Sequence, residues 1–325
     1  MKKHITLLLA ILMVAVLVIG CGNNANPTPS QTPSTGTTKD LDIRLIKGPS
    51  ALGAVKLFGN NAYGSVDVIA SPEEMNPKFI NGEVDIAAVP PNLASVLYSK
   101  TSGGARVVAV STLGMLYILS SDDGVQSIAD LAGKTIHTAG KGAVPEYVLR
   151  SLLKKNDLTP DVDVTIQFHA EHAEVSSLAV AGQADIVLLP EPFVTSTLSK
   201  ADSHAIAVDM TEAWKEKNGD VPLVMGCVIA GKDVSDEAID AFLKDYEAST
   251  KFANENIDDT AKIIGDLDIM PEAVVKAALP RCNIVYLTGN EMKAAMVSFL
   301  TALYEEDPKS VGGSLPGDDF YYGVK

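Results

Sequence analysis

Two ten-residue stretches of this chain align without a gap. They are Asn81-Gly-Glu-Val-Asp-Ile-Ala-Ala-Val-Pro90 and Ala181-Gly-Gln-Ala-Asp-Ile-Val-Leu-Leu-Pro190. Gly82 matches Gly182, Asp85 matches Asp185, Ile86 matches Ile186 and Pro90 matches Pro190. Each copy reads as a helix that stops at glycine, an aspartate before a short buried strand, and a proline that opens the next helix. Each has its own upstream strand and turn, Ile43-Arg-Leu-Ile-Lys-Gly-Pro-Ser50 and Thr135-Ile-His-Thr-Ala-Gly-Lys-Gly142. The copies are too far apart for a solenoid, whose period is roughly 20–50 residues. The chain is therefore built from two related α/β halves.

The rest of the pattern agrees. Strands are expected near 41–46, 66–70, 85–89, 106–110, 116–120, 134–138, 163–168, 185–189, 204–208 and 223–230. Helices are expected near 50–61, 73–81, 91–99, 143–155, 172–181, 191–199, 235–255, 257–265, 271–279 and 289–304. Short buried strands alternating with helices predict mostly parallel sheets flanked by helices. Residues 230–325 hold no third copy and are largely helical, so they are expected to return to the first half. The predicted division is 40–117 plus 226–325 for one half and 118–225 for the other. Two crossings between them form a hinge at Gly114, Met115, Met225 and Gly226.

Charge excludes one class of partner. Lys and Arg number 26 against 41 Asp and Glu, net −15, and nucleic acid needs clustered bases. Three cysteines cannot build a disulfide framework. Cys227 and Cys282 could pair or stay as buried thiols. His169-Ala-Glu-His172, with Glu171 and Glu174, lacks a convincing third metal ligand, so no metal and no cofactor is implied.

The first 20 residues carry Lys2 and Lys3, then an uncharged apolar run too short for a membrane span and suited to a signal peptide. That run ends in Val18-Ile19-Gly20-Cys21, which resembles a bacterial lipobox and implies lipidation of Cys21 with cleavage before it. Residues 22–38 are uncharged and rich in Pro, Ser, Thr and Asn, so 21–39 reads as a tether.

Ser127-Ile-Ala-Asp-Leu-Ala-Gly-Lys-Thr-Ile136 is similar to the start of the second lobe in many bacterial solute-binding proteins. Leu189-Pro-Glu-Pro-Phe193 looks like another element of that lobe. With the lipobox and the duplicated unit, the chain resembles ABC-transporter substrate-binding lipoproteins of the nitrate, taurine, alkanesulfonate and thiamine-pyrimidine-precursor group. The resemblance implies a two-lobed periplasmic-binding-protein fold, an extracytoplasmic, lipid-anchored location, a small-molecule solute, an ABC permease as partner and a monomer. An enzyme on the same fold, of the menaquinone-pathway or pyrimidine-synthase type, is the alternative. No Ser–His–Asp, Cys–His or paired-carboxylate set is evident for it, and no catalytic residue is assigned.

In open α/β sheets ligands bind beyond the carboxyl ends of the strands, where helix N-termini point. This nominates Gly48, Pro49, Ser50 and Ala51 and Pro90, Pro91 and Asn92 in one half. In the other it nominates Thr138, Ala139, Gly140, Lys141, Gly142 and Ala143, and Pro190, Glu191, Pro192 and Phe193. Tyr117 and Phe193 could stack on a planar ligand, and His169 could reach it across the gap. The turn Lys47-Gly-Pro-Ser50 departs from the first turn usual in sulfonate and nitrate binders. A neutral, planar or weakly anionic solute is therefore expected, with sulfonate or nitrate as the alternative.

Overall fold

The computed structural model describes residues 40–69 and 72–324, so the expected signal peptide, Cys21 and tether lie outside the described residues. The chain runs β1 (Asp42–Ile46), α1 (Pro49–Gly53), β2 (Ser65–Ile69), α2 (Pro72–Ile80), β3 (Ile86–Val89), α3 (Pro91–Lys100) and β4 (Ala105–Leu113). It continues through β5 (Leu116–Ser120), β6 (Thr135–Thr138), α4 (Val144–Lys154), β7 (Thr165–Phe168), α5 (His172–Val180), β8 (Ile186–Pro190), α6 (Phe193–Leu198), β9 (Ala205–Asp209) and α7 (Met210–Asn218). It ends with β10 (Val224–Gly231), α8 (Asp236–Glu255), α9 (Ile257–Asp266), α10 (Glu272–Ala278), a 3-10 turn at 279–281, β11 (Ile284–Leu287) and α11 (Gly289–Glu306), followed by short 3-10 turns. Among the described residues no helix is long and apolar enough to cross a membrane.

The strands form two sheets, ordered β11-β4-β10-β3-β1-β2 and β7-β6-β8-β5-β9. The duplicated motif supplies an equivalent central strand to each. β3 and β8 are buried along their whole length, which is why both read as unbroken apolar runs. Gly82 and Gly182 take φ of 72° and 67°, the left-handed conformation that ends a helix without steric cost. The Asp85 carboxylate accepts the Asp42 N–H at 2.8 Å, and Asp185 accepts the Ser121 hydroxyl at 3.1 Å, so each aspartate staples a neighbouring segment beside its strand.

The sheets are mixed, not the mostly parallel sheets expected. β1, β2 and β3 pair in parallel, as do β6, β7 and β8. β5 lies antiparallel between β8 and β9, and β10 lies antiparallel between β3 and β4. Connectivity explains this. β4 ends at Leu113 and β5 starts at Leu116, opposite Pro190 at the carboxyl end of β8. Gly114 and Met115 alone span at most about 10 Å between the two strands. The chain thus leaves one sheet and meets the other at carboxyl ends, and must run backward into it. β10 repeats the manoeuvre in return, with Val224 beside Leu113. The carboxyl edges of the two sheets consequently face each other.

One apolar cluster runs from Val89, Val107 and Val110 in the first sheet to Leu116, Ile118 and Leu188 in the second. Trp214 of α7, 1% exposed, sits with its ring 5.7 Å from that of Phe299 in α11. Segments 236–287 pack beside α1 around Leu52, Val55, Ala253, Ile264 and Cys282. Three elements differ from expectation. α1 stops at Gly53 instead of running to 61. No helix is expected over 210–218, yet α7 forms there, and the Asp209 carboxylate accepts the N–H groups of Thr211 and Glu212 to start it. β11, four residues on an edge, carried too little periodicity to read.

Candidate functional site

The site is built where the facing carboxyl edges carry their strand-to-helix turns. Asn92, at the start of α3, is 3% exposed. Its amide donates to the carbonyl of Gly142 at 3.1 Å and to that of Ser310 at 3.4 Å. Residues 90–92 and 140–143, nominated separately from the sequence, are therefore brought together. Gly48 has φ of 140°, which only glycine takes readily, and its carbonyl accepts the N–H groups of Ala51 and Leu52. The Ser50 hydroxyl donates to the Ile46 carbonyl at 2.6 Å. Pro49, Ala51 and Gly53 are buried. Among the described residues no hydrogen bond joins 48–51 to the second sheet.

In the turn after β6, the buried Thr138 hydroxyl serves the Leu188 carbonyl at 3.1 Å, a bond within the sheet. Gly140 and Gly142 take φ of 80° and 75°. Lys141 sets its ammonium 5.7 Å from the centre of the Phe168 ring. After β7, His169 Nε2 lies 3.0 Å from His137 Nδ1, and His169 Nδ1 lies 3.2 Å from the Glu174 carboxylate. Burial and the facing His169 pull the His137 pKa below its usual value. His172 does not join this pair. Its ring packs against Phe193 at 5.6 Å, its Nδ1 is buried without a partner, and burial pulls its pKa down to about 4. No group of three metal-ligating side chains converges among the described residues.

After β8, Glu191 is 1% exposed and fully engaged. It accepts the Thr195 N–H at 3.1 Å, the Thr195 hydroxyl at 3.0 Å and the Arg281 Nε–H at 2.6 Å. Arg281 also donates to the Thr195 hydroxyl at 2.6 Å. This bridge ties the second sheet's α6 to the turn after α10, which packs with the first. Tyr117 lies opposite Leu189 and Asp209 on β5, and burial, with Asp209 and Glu191 nearby, pushes its phenol up to about 12. Gly114 and Met115 form the first crossing. Met225 and Gly226 lie within β10, where the pairing to β4 is irregular. Cys227 and Cys282 are separate free thiols, both buried.

Arg281 escaped the sequence reading because it arrives from far down the chain and belongs to no strand-end turn. Glu146 was legible in principle, standing four residues after the Gly142 N–H that its carboxylate accepts at 2.6 Å. A groove of about 430 Å³ runs beside it, lined by Glu146, Arg150, Lys154, Glu306 and Asp307. Its charges are paired internally, Arg150 with Glu146 at 2.8 Å and Lys154 with Glu306 at 2.9 Å.

A protein-family model described as ABC transporter, phosphonate, periplasmic substrate-binding protein matches residues 65–262. No curated protein matches the chain. Among solved structures, the chain is similar to an ABC transporter from Parabacteroides distasonis, with 23% identity, a TM-score of 0.75, and coverage of 87% of this chain and 98% of that one. It is similar to the periplasmic aliphatic sulphonate binding protein SsuA from Escherichia coli, with 15% identity, a TM-score of 0.68, and coverage of 86% and 97%. It is also similar to the periplasmic nitrate-binding protein NrtA from Synechocystis PCC 6803, with 12% identity, a TM-score of 0.60, and coverage of 84% of each chain. At these identities the likeness is one of fold.

Proposed function

The chain belongs to the phosphonate family of ABC-transporter periplasmic substrate-binding proteins, and from that premise we propose that it is a lipid-anchored receptor that grips its solute between two lobes. Proteins of this family bind small solutes and deliver them to an ABC importer. In our reading residues 1–20 are removed, Cys21 carries the lipid, and 21–39 hold the body off the membrane. One lobe comprises 40–113 and 224–325 and the other 116–223, a shift of a few residues from the expected 117 and 226, because β5 from Leu116 lies in the second sheet and β10 from Val224 in the first. They swing about Gly114–Met115 and the segment 219–223 between α7 and β10, not the expected Met225–Gly226, which pair within the first sheet, as a monomer, without catalysis.

The observation that carries this reading is the Asn92–Gly142 hydrogen bond, which joins a turn of one sheet to a turn of the other at the facing carboxyl edges. A solute seated there touches both lobes at once. It binds the closed arrangement better than the open one, and only that difference can drive closure. The test is the cell fraction and mature N-terminus of the expressed chain, together with small-angle scattering against a solute panel. A membrane-bound chain beginning at a lipidated Cys21, which compacts with a solute, is expected. A soluble chain still beginning at Met1, or tight binding without compaction, would refute the proposal.

A further inference from the structure

The helix N-termini of the second sheet already hold anions. Three turns follow its parallel strands β6, β7 and β8, and in each a backbone N–H is taken by a carboxylate four residues away. Glu146 accepts from Gly142 at 2.6 Å, Glu174 from Ala170 at 3.2 Å and Glu191 from Thr195 at 3.1 Å. Each carboxylate carries its own base: Arg150 at 2.8 Å, His169 at 3.2 Å and Arg281 at 2.6 Å. An oxyanion solute would seek these same N–H groups and the same positive helix ends. Here it would have to displace a tethered carboxylate or sit beside it. Lys141, the one cation in the turn after β6, leans over Phe168. In the first sheet, α1 and α3 carry no acid in their first turns, but Pro49, Pro90 and Pro91 at their starts have no N–H to offer an anion.

Asn92 supplies an independent observation. Both of its amide donors are spent on carbonyls, of Gly142 and Ser310, which fixes the orientation of the amide. Its Oδ1 is left buried with no partner. A buried acceptor at the seam between two facing turns calls for a donor.

Resting on the receptor reading above, we infer that the cleft selects an uncharged solute that presents N–H or O–H donors and excludes phosphonates, sulfonates and nitrate. The three carboxylates occupy the anion positions of the second sheet, Arg150 and Arg281 cancel the charge of Glu146 and Glu191, and Asn92 Oδ1 takes a hydrogen bond from the solute.

Two measurements test this on the full-length chain. Calorimetric titration is run with methylphosphonate, ethanesulfonate, nitrate, cytosine and nicotinamide, and native mass spectrometry examines any retained cargo. The same oxyanions are then titrated into Glu146→Gln, Glu174→Gln and the double variant, which keep side-chain length and lose charge. The wild-type chain is expected to bind the oxyanions no tighter than about 1 mM, and the variants to gain at least about tenfold. Glu174 is half-exposed, so its variant keeps the test available if Glu146→Gln fails to fold. Micromolar binding of any of the three oxyanions by the wild type, or no gain in the folded variants, overturns the inference and leaves the receptor reading standing. A wild-type chain that neither retains nor binds any solute speaks against the receptor reading, and the variants' gain or lack of it still decides the inference.

Discussion

Arg281→Met should loosen the closed arrangement. The guanidinium reaches from the turn after α10 to a carboxylate on the opposite side, donating at 2.6 Å to Glu191 and at 2.6 Å to the Thr195 hydroxyl. The Glu191 side chain is fully buried, whereas that of Arg281 is 40% exposed. A hydrogen bond to a charged group contributes about 1.5–3 kcal/mol, and exposure of one partner trims this toward the lower end. Removing the arginine also leaves a buried carboxylate with only the two Thr195 donors, a cost of about 1 kcal/mol or more. The sum is on the order of 2–3 kcal/mol, or at least roughly 30-fold in the closed-to-open ratio, since about 1.4 kcal/mol is tenfold. Spin labels at Val162→Cys and Leu267→Cys, both exposed, would read the separation in a chain that also carries Cys21→Ser. Cys227 and Cys282 are buried and take no label. The variant should add a longer distance component, and a double-mutant cycle with Glu191→Gln should show coupling above about 1 kcal/mol. Coupling below about 0.5 kcal/mol with an unchanged distance distribution would sink the argument.

Three further outcomes follow from local geometry. Gly114→Ala should cost about 3 kcal/mol and lower Tm by about 5 °C or more, because the added Cβ would meet the Thr211 side chain, its Cβ 2.8 Å away; a melt within about 1 °C of wild type refutes it. His172 is held near pKa 4 by burial against an unperturbed 6.5, so between those values the unfolded chain binds more protons than the folded one. Stability is highest above pH 6.5 and falls as pH drops toward 4, by on the order of 3 kcal/mol in all. Urea unfolding of wild type and His172→Gln should diverge across that window, and parallel curves would contradict the assignment. Burial pushes the Cys227 and Cys282 thiols far up, so iodoacetamide should modify neither until urea unfolds the chain; peptide mapping that finds native labelling at either position would refute this.

Much of this architecture is written in short-range patterns. The duplicated Gly–Asp–Ile–Pro unit announces β3 and β8 because a strand buried on both faces must be continuously apolar, and no long-range information is needed to see it. The choice of 90–92 and 140–143 follows from their place just after buried strands, whereas their facing comes from the crossing at Gly114–Met115 into antiparallel β5. Strand direction was not legible, because antiparallel β5 and β10 read locally like any other buried strand. Arg281 was invisible for a related reason. It stands ninety positions from Glu191, and only the folded path of α8 to α10 makes them neighbours. Glu191 shows the converse. Its position after a strand suggested a solute contact, yet every hydrogen bond its carboxylate makes is to this protein's own Thr195 and Arg281.

The placement of β10 has a consequence for biosynthesis. All five strands of the second sheet are contiguous in sequence, whereas β3 and β4 become neighbours of a common strand only when β10 has been made. On the ribosome the inner half is therefore finished first, while the outer half waits with a gap in its middle. A chain truncated after Gly219 and released from the ribosome should already protect residues 116–209 from protease and leave 42–113 open to it. Maturation proceeds from the inside outward, and a strand translated after the whole second sheet is the one that seals the first.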